Sequence, residues 1–308
     1  MTILFLMKPL EIMNPKKDTS LLFMQAAQRL GHTVCYLPQG GISITPDGLL
    51  FQVTSLRCTG SLEQPFEDLE DIVLNESEVD AVFIRTDPPF DDAYLHDMWL
   101  LDQLPDRIRC INSAHGIKTV NEKIWLTQFR DLIPKTWVTT SRNMLETVLA
   151  RQKKLVLKPT DGFGGYSIFI VSDDDINKHV ILDTMFSGAN TYVIAQEVLA
   201  EATKGDKRIL LCDGEPLGAI LRVHSKNDHR NNLDAGGHAE KAVITAKDQE
   251  IITQLKPHLL ALGLRFVGID IIGDYLIEVN VTSPTCLQEL NALDGYVHED
   301  DLVNRFLA

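Results

Sequence analysis

The stretch that decides the fold lies near the end of the chain and reads Gly268-Ile269-Asp270-Ile271-Ile272-Gly273-Asp274-Tyr275-Leu276-Ile277-Glu278-Val279-Asn280. Apolar runs on both sides of Gly273 predict two β-strands joined by a tight turn. Because side chains alternate between the two faces of a strand, Glu278 and Asn280 share one face and Val279 lies on the other. The alternation predicts a face of oxygen donors backed by an apolar face.

The length of this turn decides whether Asp270 joins the oxygen face. A three-residue loop places Asp270 opposite Glu278, whereas a two-residue loop places it opposite Ile277. In the first register, Asp270, Glu278 and Asn280 offer the hard oxygen ligands that suit a Mg²⁺ ion bridging phosphates. The alternative is a hairpin whose polar side chains face solvent, and the flanking Ile, Leu and Val residues weigh against it because they indicate burial on the other face.

A glycine-rich turn lies in the middle of the chain. The apolar run 155–157 ends at Lys158 and leads into Pro159-Thr160-Asp161-Gly162-Phe163-Gly164-Gly165, with another predicted strand after it. Glycines let backbone N–H groups approach phosphate oxygens, and the ammonium groups of Lys158 and the upstream Lys123 suit a polyphosphate. No Gly-Lys-Ser/Thr follows and no helix comes next, so the turn is neither a P-loop nor a Rossmann fingerprint. The alternatives are a ligand-free β-turn and two solvated lysines.

The first 120 residues predict an open parallel α/β sheet. Strands are predicted at 2–7, 33–37 and 80–85, with a helix between the first two that ends near Gly31. The polar segment 85–91 follows the third strand, at the edge where open α/β sheets bind ligands. After residue 120 the pattern changes to shorter strands and helices of the α+β kind.

Composition narrows the classes of function. The 308 residues carry 29 Lys and Arg against 43 Asp and Glu, a formal net charge of −14, which disfavours nucleic acid and anionic membranes as partners. No apolar run approaches the length of a membrane-spanning helix. The five cysteines are scattered and contain no Cys-x-x-Cys pair, so we expect a reduced, cytoplasmic protein without a disulfide framework.

Several sequence blocks follow one another in a recognisable order: Asn121-Glu122-Lys123, Leu157-Lys158-Pro159, Asp161-Gly162-Phe163-Gly164-Gly165, Gly205-Asp206-Lys207-Arg208, Asp270-Ile271-Ile272-Gly273-Asp274 and Glu278-Val279-Asn280-Val281-Thr282-Ser283-Pro284-Thr285. This order resembles the bacterial glutathione synthetases, which are ATP-grasp ligases. The resemblance implies an α/β protein with an N-terminal open parallel domain at 1–120, followed by an ATP-grasp fold whose two α+β subdomains, 121–198 and 199–308, clasp ATP. The chain departs from the family pattern at Thr86, where a lysine is expected, and at Phe163, where methionine is usual.

The resemblance also implies a role for each candidate site residue. The nucleotide residues are Lys123, Lys158, Gly162, Phe163, Gly164, Gly165, Gln196, Glu197, Val198, Leu199 and Asp206, of which 196–199 bind adenine and Asp206 accepts from ribose. The metal residues are Asp270, Glu278 and Asn280. The substrate residues are Arg230, Asn232, Gly236, Ser283 and Thr285. Arg208 and Arg222 are the catalytic residues, since a guanidinium buried among central strands needs an anion.

The implied reaction joins γ-glutamylcysteine to glycine through an acyl phosphate and yields glutathione, ADP and phosphate. It implies ATP as co-substrate, Mg²⁺ or Mn²⁺ as metal, and a homo-oligomer, with a tetramer suggested by the family. The polar stretch 224–237 is expected to be a mobile loop that closes over the site. Two alternatives stay open: another ATP-grasp ligase, such as one of the D-alanine–D-alanine type, and a nucleotide-binding regulatory protein without turnover.

Overall fold

The computed structural model describes residues 1–162, 165–188, 190–223 and 236–308. The strands are β1 (Thr2–Met7), β2 (Thr33–Pro38), β3 (Ile42–Thr45), β4 (Gly48–Cys58), β5 (Phe66–Asn75), β6 (Ala81–Ile84), β7 (Arg109–Ile111), β8 (Thr136–Thr139), β9 (Lys154–Pro159), β10 (Phe169–Ser172), β11 (Val193–Glu197), β12 (Asp206–Cys212), β13 (Glu215–Val223), β14 (His238–Lys241), β15 (Phe266–Ile272) and β16 (Tyr275–Asn280). The α-helices are α1 (Thr19–Arg29), α2 (Asp92–Leu101), α3 (Ala114–Thr119), α4 (Arg142–Gln152), α5 (Lys178–Met185), α6 (Ala246–Ala261), α7 (Leu287–Asp294) and α8 (His298–Leu307). Within the described ranges, none of these helices is long and apolar enough to cross a membrane.

The N-terminal sheet has seven strands, and its parallel part is the predicted one. Its order is β3-β4-β2-β1-β6-β7, with β5 paired to β4. The strands β2, β1, β6 and β7 run parallel, and β1 is buried on both faces, as its unbroken apolar sequence predicts. Between β1 and β2, α1 begins where the Asp18 carboxylate accepts from the Ser20 N–H at 2.8 Å, an N-cap that satisfies one free helix donor.

A four-stranded antiparallel sheet follows in the chain and carries a hydrophobic core of its own. Its order is β10-β9-β11-β8, and α4 and α5 pack on it. The core joins side chains of α4, such as Leu145 and Leu149, to Leu155 and Leu157 of β9. Leu155 and Leu157 alternate with Val156 and Lys158, so the opposite face of β9 is left to line a cavity.

The third sheet is antiparallel, has the order β14-β13-β12-β15-β16 and is covered on both faces. Along β12, Ile209 and Leu211 lie in the cluster that contains the buried face of α6. Leu210 and Cys212 point the other way, into the cluster that contains α7 and α8. The period of two along β12 therefore gives each helix layer its own face of the strand.

The first and third sheets share one core through an aromatic cluster. Phe23 of α1 lies 5.2 Å from Phe266 of β15 and 5.7 Å from Phe83 of β6, measured between ring centroids. Phe306 of α8 packs at 6.1–6.2 Å against all three of these rings. Rings at these separations and tilted angles add to the burial of their apolar surface. The C-terminal helix thus fastens the N-terminal sheet to the third sheet.

A buried arginine crosses the same boundary. The Arg85 guanidinium, just after β6, donates to the Pro284 carbonyl at 2.8 Å and to Ser20 Oγ at 3.1 Å. Its Cζ lies 5.8 Å from the centroids of Phe23 and Phe266. Burial lowers the pKa of Arg85, partly offset by the charges of nearby acidic groups.

Asn112 provides a test of how firmly the first and third sheets are joined. Its buried side chain donates to the carbonyls of Phe266 and Val281, both at 2.7 Å, and accepts from the Phe266 N–H at 2.8 Å. Asn112→Ala leaves these backbone groups unpaired and should lower the free energy of unfolding by roughly 3 kcal/mol or more. Urea unfolding curves measure this, with Asn143→Ala at an exposed position of α4 as the control. Equal midpoints for the two variants would contradict the prediction.

Candidate active site

In the hairpin of β15 and β16, Asp270 pairs with Glu278, but the turn and the strand geometry that produce this pairing differ from those considered above. The turn has two residues, since Ile272 pairs with Tyr275, and the expectation that a two-residue loop places Asp270 opposite Ile277 is wrong. A bulge then makes Ile277 an extra residue, and Asp270 pairs with Glu278 after all. The oxygen face is therefore formed by a tight turn plus a bulge instead of by a longer turn.

A cavity of about 440 Å³ lies over this oxygen face. Its walls come from the second and third sheets and from the segments that follow β1 and β6. The predicted site residues that line it are Lys123, Lys158, Gly165, Gln196, Glu197, Val198, Leu199, Asp206, Arg208, Arg222, Asp270, Glu278, Asn280, Ser283 and Thr285. The structure thus brings together residues that are spread over more than 160 positions of the sequence.

The remaining predicted site residues lie elsewhere or outside the description. Gly162 is not in the cavity wall, although its carbonyl accepts from Lys123 Nζ at 2.6 Å. Gly236 is exposed and does not line the cavity. Four predicted residues lie outside the described ranges, namely Phe163, Gly164, Arg230 and Asn232. The expected mobile loop, 224–237, falls almost wholly outside them as well.

A buried cluster of two arginines and two aspartates forms the floor of the cavity. Arg208 donates to both oxygens of Asp270, through Nε at 2.5 Å and Nη2 at 2.8 Å. Arg222 donates from Nη2 to Asp270 Oδ2 at 2.8 Å and holds Asp206 through both Nε and Nη2. Each guanidinium has the carboxylate partner that its burial requires.

The charges of this cluster depend on one another. Burial raises the pKa of Asp270, but the positive charges of Arg208 and Arg222 outweigh burial and hold that pKa below its usual range. For Asp206, burial dominates, and its pKa is raised although Arg222 opposes the shift. Asp270 is consequently the fixed anion of the cluster.

Two lysines line the cavity and differ in their partners. Lys123 Nζ lies 2.6 Å from Glu278 Oε1, and although burial lowers the pKa of Lys123, the Glu278 charge raises it overall. Lys158 Nζ donates to Gln196 Oε1 at 2.6 Å and has no ion-pair partner among the described residues. Burial lowers the pKa of Lys158 to about 8. A buried ammonium group without a carboxylate partner is suited to bind an anionic ligand.

Gln196 acts through its side chain, which the sequence did not predict. The residue is 6% exposed. Its amide oxygen accepts from Lys158, and its Nε2 donates to Thr136 Oγ1 at 3.0 Å. The chain Thr136–Gln196–Lys158 fixes the direction of the ammonium group, because an oriented amide leaves the lysine few other positions.

Glu122 is a half-buried residue of the site to which the sequence analysis gave no role. Its Oε1 accepts from the N–H groups of Val281 and Thr282 at 2.8 and 3.1 Å and from Thr282 Oγ1 at 2.9 Å. Burial raises the pKa of Glu122, and the nearby Glu278 carboxylate raises it further. Its place in the Asn121-Glu122-Lys123 block could have indicated that Glu122 belongs to the site, but only Lys123 of that block was given a role. Glu122 holds the segment after β16 in position.

The oxygen face fits a hard divalent cation by its chemistry. Asp270, Glu278 and Asn280 contribute two carboxylates and one amide oxygen to a single cavity wall. The described residues contain no group of three His, Cys, Asp or Glu side chains poised to hold a metal by themselves. A Mg²⁺ site of one or two carboxylates completed by substrate phosphates needs no such group. The residues present therefore fit Mg²⁺ as a partner of bound nucleotide.

The fold of the chain is that of solved ATP-grasp proteins. Among solved structures it is similar to the D-cycloserine synthetase DcsG, with a TM-score of 0.68, 15% identity and 99% of each chain covered. It is also similar to a RimK domain ATP-grasp protein from Sphaerobacter thermophilus, with a TM-score of 0.62, 13% identity, and 99% of this chain and 98% of that chain covered. At such identities the likeness shows the fold alone.

Sequence comparison gives the family. The model of the prokaryotic glutathione synthetase N-terminal domain matches residues 1–118, and that of the ATP-grasp domain of the same family matches residues 122–295. The chain is 39% identical to the glutathione synthetase of Gloeobacter violaceus, over 99% of this chain and 96% of that protein. It is 35% identical to that of Escherichia coli strain K12, over 93% of this chain and 91% of that protein. The chain belongs to the prokaryotic glutathione synthetase family, and the predicted resemblance is confirmed.

Removal of the central anion tests the electrostatic account of the site. Asp270→Asn keeps the shape but leaves Arg208 and Arg222 facing each other with one carboxylate fewer, and it should lower the free energy of unfolding by roughly 3–5 kcal/mol. Urea unfolding without ligands measures the change. Asp183→Asn is the control, because Asp183 pairs with Arg142 at the surface and its loss should barely shift the curve. Equal stability of the two variants would contradict a buried, interdependent cluster.

Proposed function

We propose that this chain is an ADP-forming ligase that joins γ-glutamylcysteine to glycine and so makes glutathione. The observation that carries the proposal is a single cavity that unites two lysines, the arginine–aspartate floor and the oxygen face, in a chain that matches glutathione synthetases over nearly its whole length. The ATP-grasp ligase of another specificity and the regulatory protein without turnover are not favoured, since the curated relatives reported above are glutathione synthetases.

The nucleotide is held between the second and third sheets in this proposal. Lys123 and Lys158 bind the phosphates, and the glycine turn at 162–165 covers them. The segment Gln196 to Leu199 lies at the end of β11, where its backbone groups read the adenine edge. Asp206 accepts from ribose hydroxyls while it keeps its bond to Arg222.

The two arginines act on the reacting groups. The cysteinyl carboxylate of the peptide attacks the γ-phosphorus, the bond to ADP breaks, and an acyl phosphate forms. The glycine amine then attacks the acyl carbon, loses a proton, and phosphate leaves. Arg208 and Arg222 keep donors near the negative charge that develops on the phosphoryl and carbonyl oxygens, in a floor that is already ordered by Asp270.

The metal and the remaining substrate contacts belong to the same proposal. Asp270, Glu278 and Asn280 would hold Mg²⁺, which supplies charge neutralisation at the phosphate oxygens when bound. Ser283 and Thr285, in the cavity wall, donate to carboxylate or peptide groups. Arg230, Asn232 and Gly236 are proposed to complete the substrate site as the family pattern implies.

We also propose the following organisation of the chain. The N-terminal domain spans 1–120, the smaller ATP-grasp subdomain 121–198 and the C-terminal subdomain 199–308, in keeping with the separate core of the second sheet. All five cysteines are free thiols, which supports a reducing, cytoplasmic location. Exposed apolar side chains on β3 and β5, including Ile44, Leu69 and Val73, offer contact area for a homo-oligomer.

Glu278→Gln tests the proposed reaction. The change removes one negative charge from the oxygen face and keeps the shape, so turnover should fall by roughly 100-fold or more because charge neutralisation by the metal is weakened. The assay follows ADP and glutathione with γ-glutamylcysteine, glycine, ATP and Mg²⁺. Glu240→Gln, on exposed β14, is the control and should keep full activity. Wild-type protein that makes no glutathione would overturn the function, and an active Glu278→Gln variant would overturn the metal assignment.

The lowered pKa of Lys158 predicts a pH dependence of nucleotide binding. A lysine binds phosphate in its charged form, which is dominant below a pKa of about 8 and is lost as the pH rises through it. Between pH 7 and pH 9 the apparent Kd for a non-hydrolysable ATP analogue should therefore rise by about tenfold. Lys158→Arg stays charged and should show a nearly flat profile, so parallel profiles for the two proteins would contradict the assignment.

A further inference from the structure

The N-terminal sheet contributes a charged pair to the cavity that none of the roles above uses. On one side of β1 lies β2, and on the other side lies β6, so the chain changes direction across the sheet between β1 and β6. In open α/β sheets such a switch point leaves a crevice outside the carboxyl ends of the strands, where ligands bind. Lys8 follows β1 directly, and Asp87 follows β6 by three residues.

These two side chains form an ion pair that opens into the cavity. Lys8 Nζ lies 3.0 Å from Asp87 Oδ2 and 3.8 Å from Asp18 Oδ2. The side chains of Lys8 and Asp87 are each 31% exposed, and both residues line the cavity. Since both partners are partly solvated, this ion pair contributes little stability by itself, and a ligand with matching charges can compete for it.

The neighbouring Thr86 takes no part in this crevice. It is 6% exposed and is absent from the cavity wall. Its hydroxyl donates back to the Leu6 carbonyl at 3.4 Å, and its own carbonyl accepts from the Tyr94 hydroxyl at 3.1 Å. The charge at this end of the cavity therefore comes from the residues that follow β1 and from Asp87.

The charge pattern matches one part of the proposed substrate. A γ-glutamyl peptide differs from an ordinary peptide because its far end keeps an α-ammonium and an α-carboxylate on the same carbon. A cation and an anion about 3 Å apart can meet both groups at once, and the arginine–aspartate floor is left for the opposite, cysteinyl end.

We propose that Lys8 and Asp87 bind the zwitterionic end of γ-glutamylcysteine, with Lys8 on its α-carboxylate and Asp87 on its α-ammonium. This assignment rests on the proposed function. It makes the crevice at the switch point the place where the enzyme distinguishes a γ-glutamyl donor from an α-linked peptide, because an α-linked peptide lacks the free carboxylate beside its ammonium group.

The test pairs a variant with a substrate that lacks the matching group. The probes are γ-glutamylcysteine and 4-aminobutyryl-cysteine, which has the same chain without the α-carboxylate. For the wild type, kcat/KM should be about 10- to 100-fold lower with the truncated substrate. Lys8→Met should lower kcat/KM by a similar factor with γ-glutamylcysteine and leave it almost unchanged with 4-aminobutyryl-cysteine. The KM for ATP should stay the same.

Two further proteins make the result specific. Lys16→Met removes a lysine from the same segment, but Lys16 is exposed and outside the cavity wall, so its kinetics should match the wild type. Lys8→Arg keeps the charge and should retain most of the discrimination. Asp87→Asn should lower kcat/KM with γ-glutamylcysteine and leave it almost unchanged with glutaryl-cysteine, which has the same chain without the α-ammonium group.

The outcomes separate this assignment from the function on which it rests. If Lys8→Met lowers kcat/KM by the same factor with both substrates, or with neither, the proposed contact between Lys8 and the α-carboxylate is overturned. If Lys8→Arg no longer discriminates between γ-glutamylcysteine and 4-aminobutyryl-cysteine, a contact based on charge is also contradicted. Wild-type protein that does not turn over γ-glutamylcysteine overturns the proposed function instead.

Discussion

The bond between Asp270 and two arginines is the constraint on which the rest of the site depends. Arg208 and Arg222 reach Asp270 from adjacent antiparallel strands, and both would be costly to bury without it. Their combined charge keeps Asp270 ionised in spite of its burial. The same carboxylate lies opposite Glu278, so the sheet register that satisfies the arginines also builds the oxygen face. The contact of Asp270 with Arg208 and Arg222 therefore stabilises the buried charges and also positions Asp270 in the oxygen face.

Much of this arrangement could be predicted, because it follows from local periodicity. The apolar run of β1, the alternation along β16 and the apolar run of β9 are properties of a few consecutive residues. The pairing expected for a two-residue turn between β15 and β16 was wrong, since strand patterns do not reveal a bulge that absorbs one residue, here Ile277. The correct pairing of Asp270 with Glu278 came from a different geometry.

Other features escaped because they depend on tertiary contacts. Glu122 is held by backbone groups about 160 positions away, and no local pattern announces such a bond. The helices α7 and α8 were not predicted, and β5 has many exposed acidic residues that hide its strand character. Lys8 reads as an ordinary surface lysine until the sheet order places it beside Asp87. The sequence shows that Lys8 is charged, but it does not show that Asp87 lies next to it in the folded protein.

The hydrophobic cores divide the molecule into a base and a smaller unit with a core of its own. The N-terminal and third sheets are fused through Phe23, Phe266 and Phe306, so they form a single stiff base. The unit from β8 to β11 encloses its own core and meets that base across the cavity. A unit with a closed core of its own can move as a rigid body relative to the base without opening that core. Lys158 and Gln196 belong to this unit and Asp270 belongs to the base, so any such motion would change the distance between the ammonium group of Lys158 and the carboxylate of Asp270.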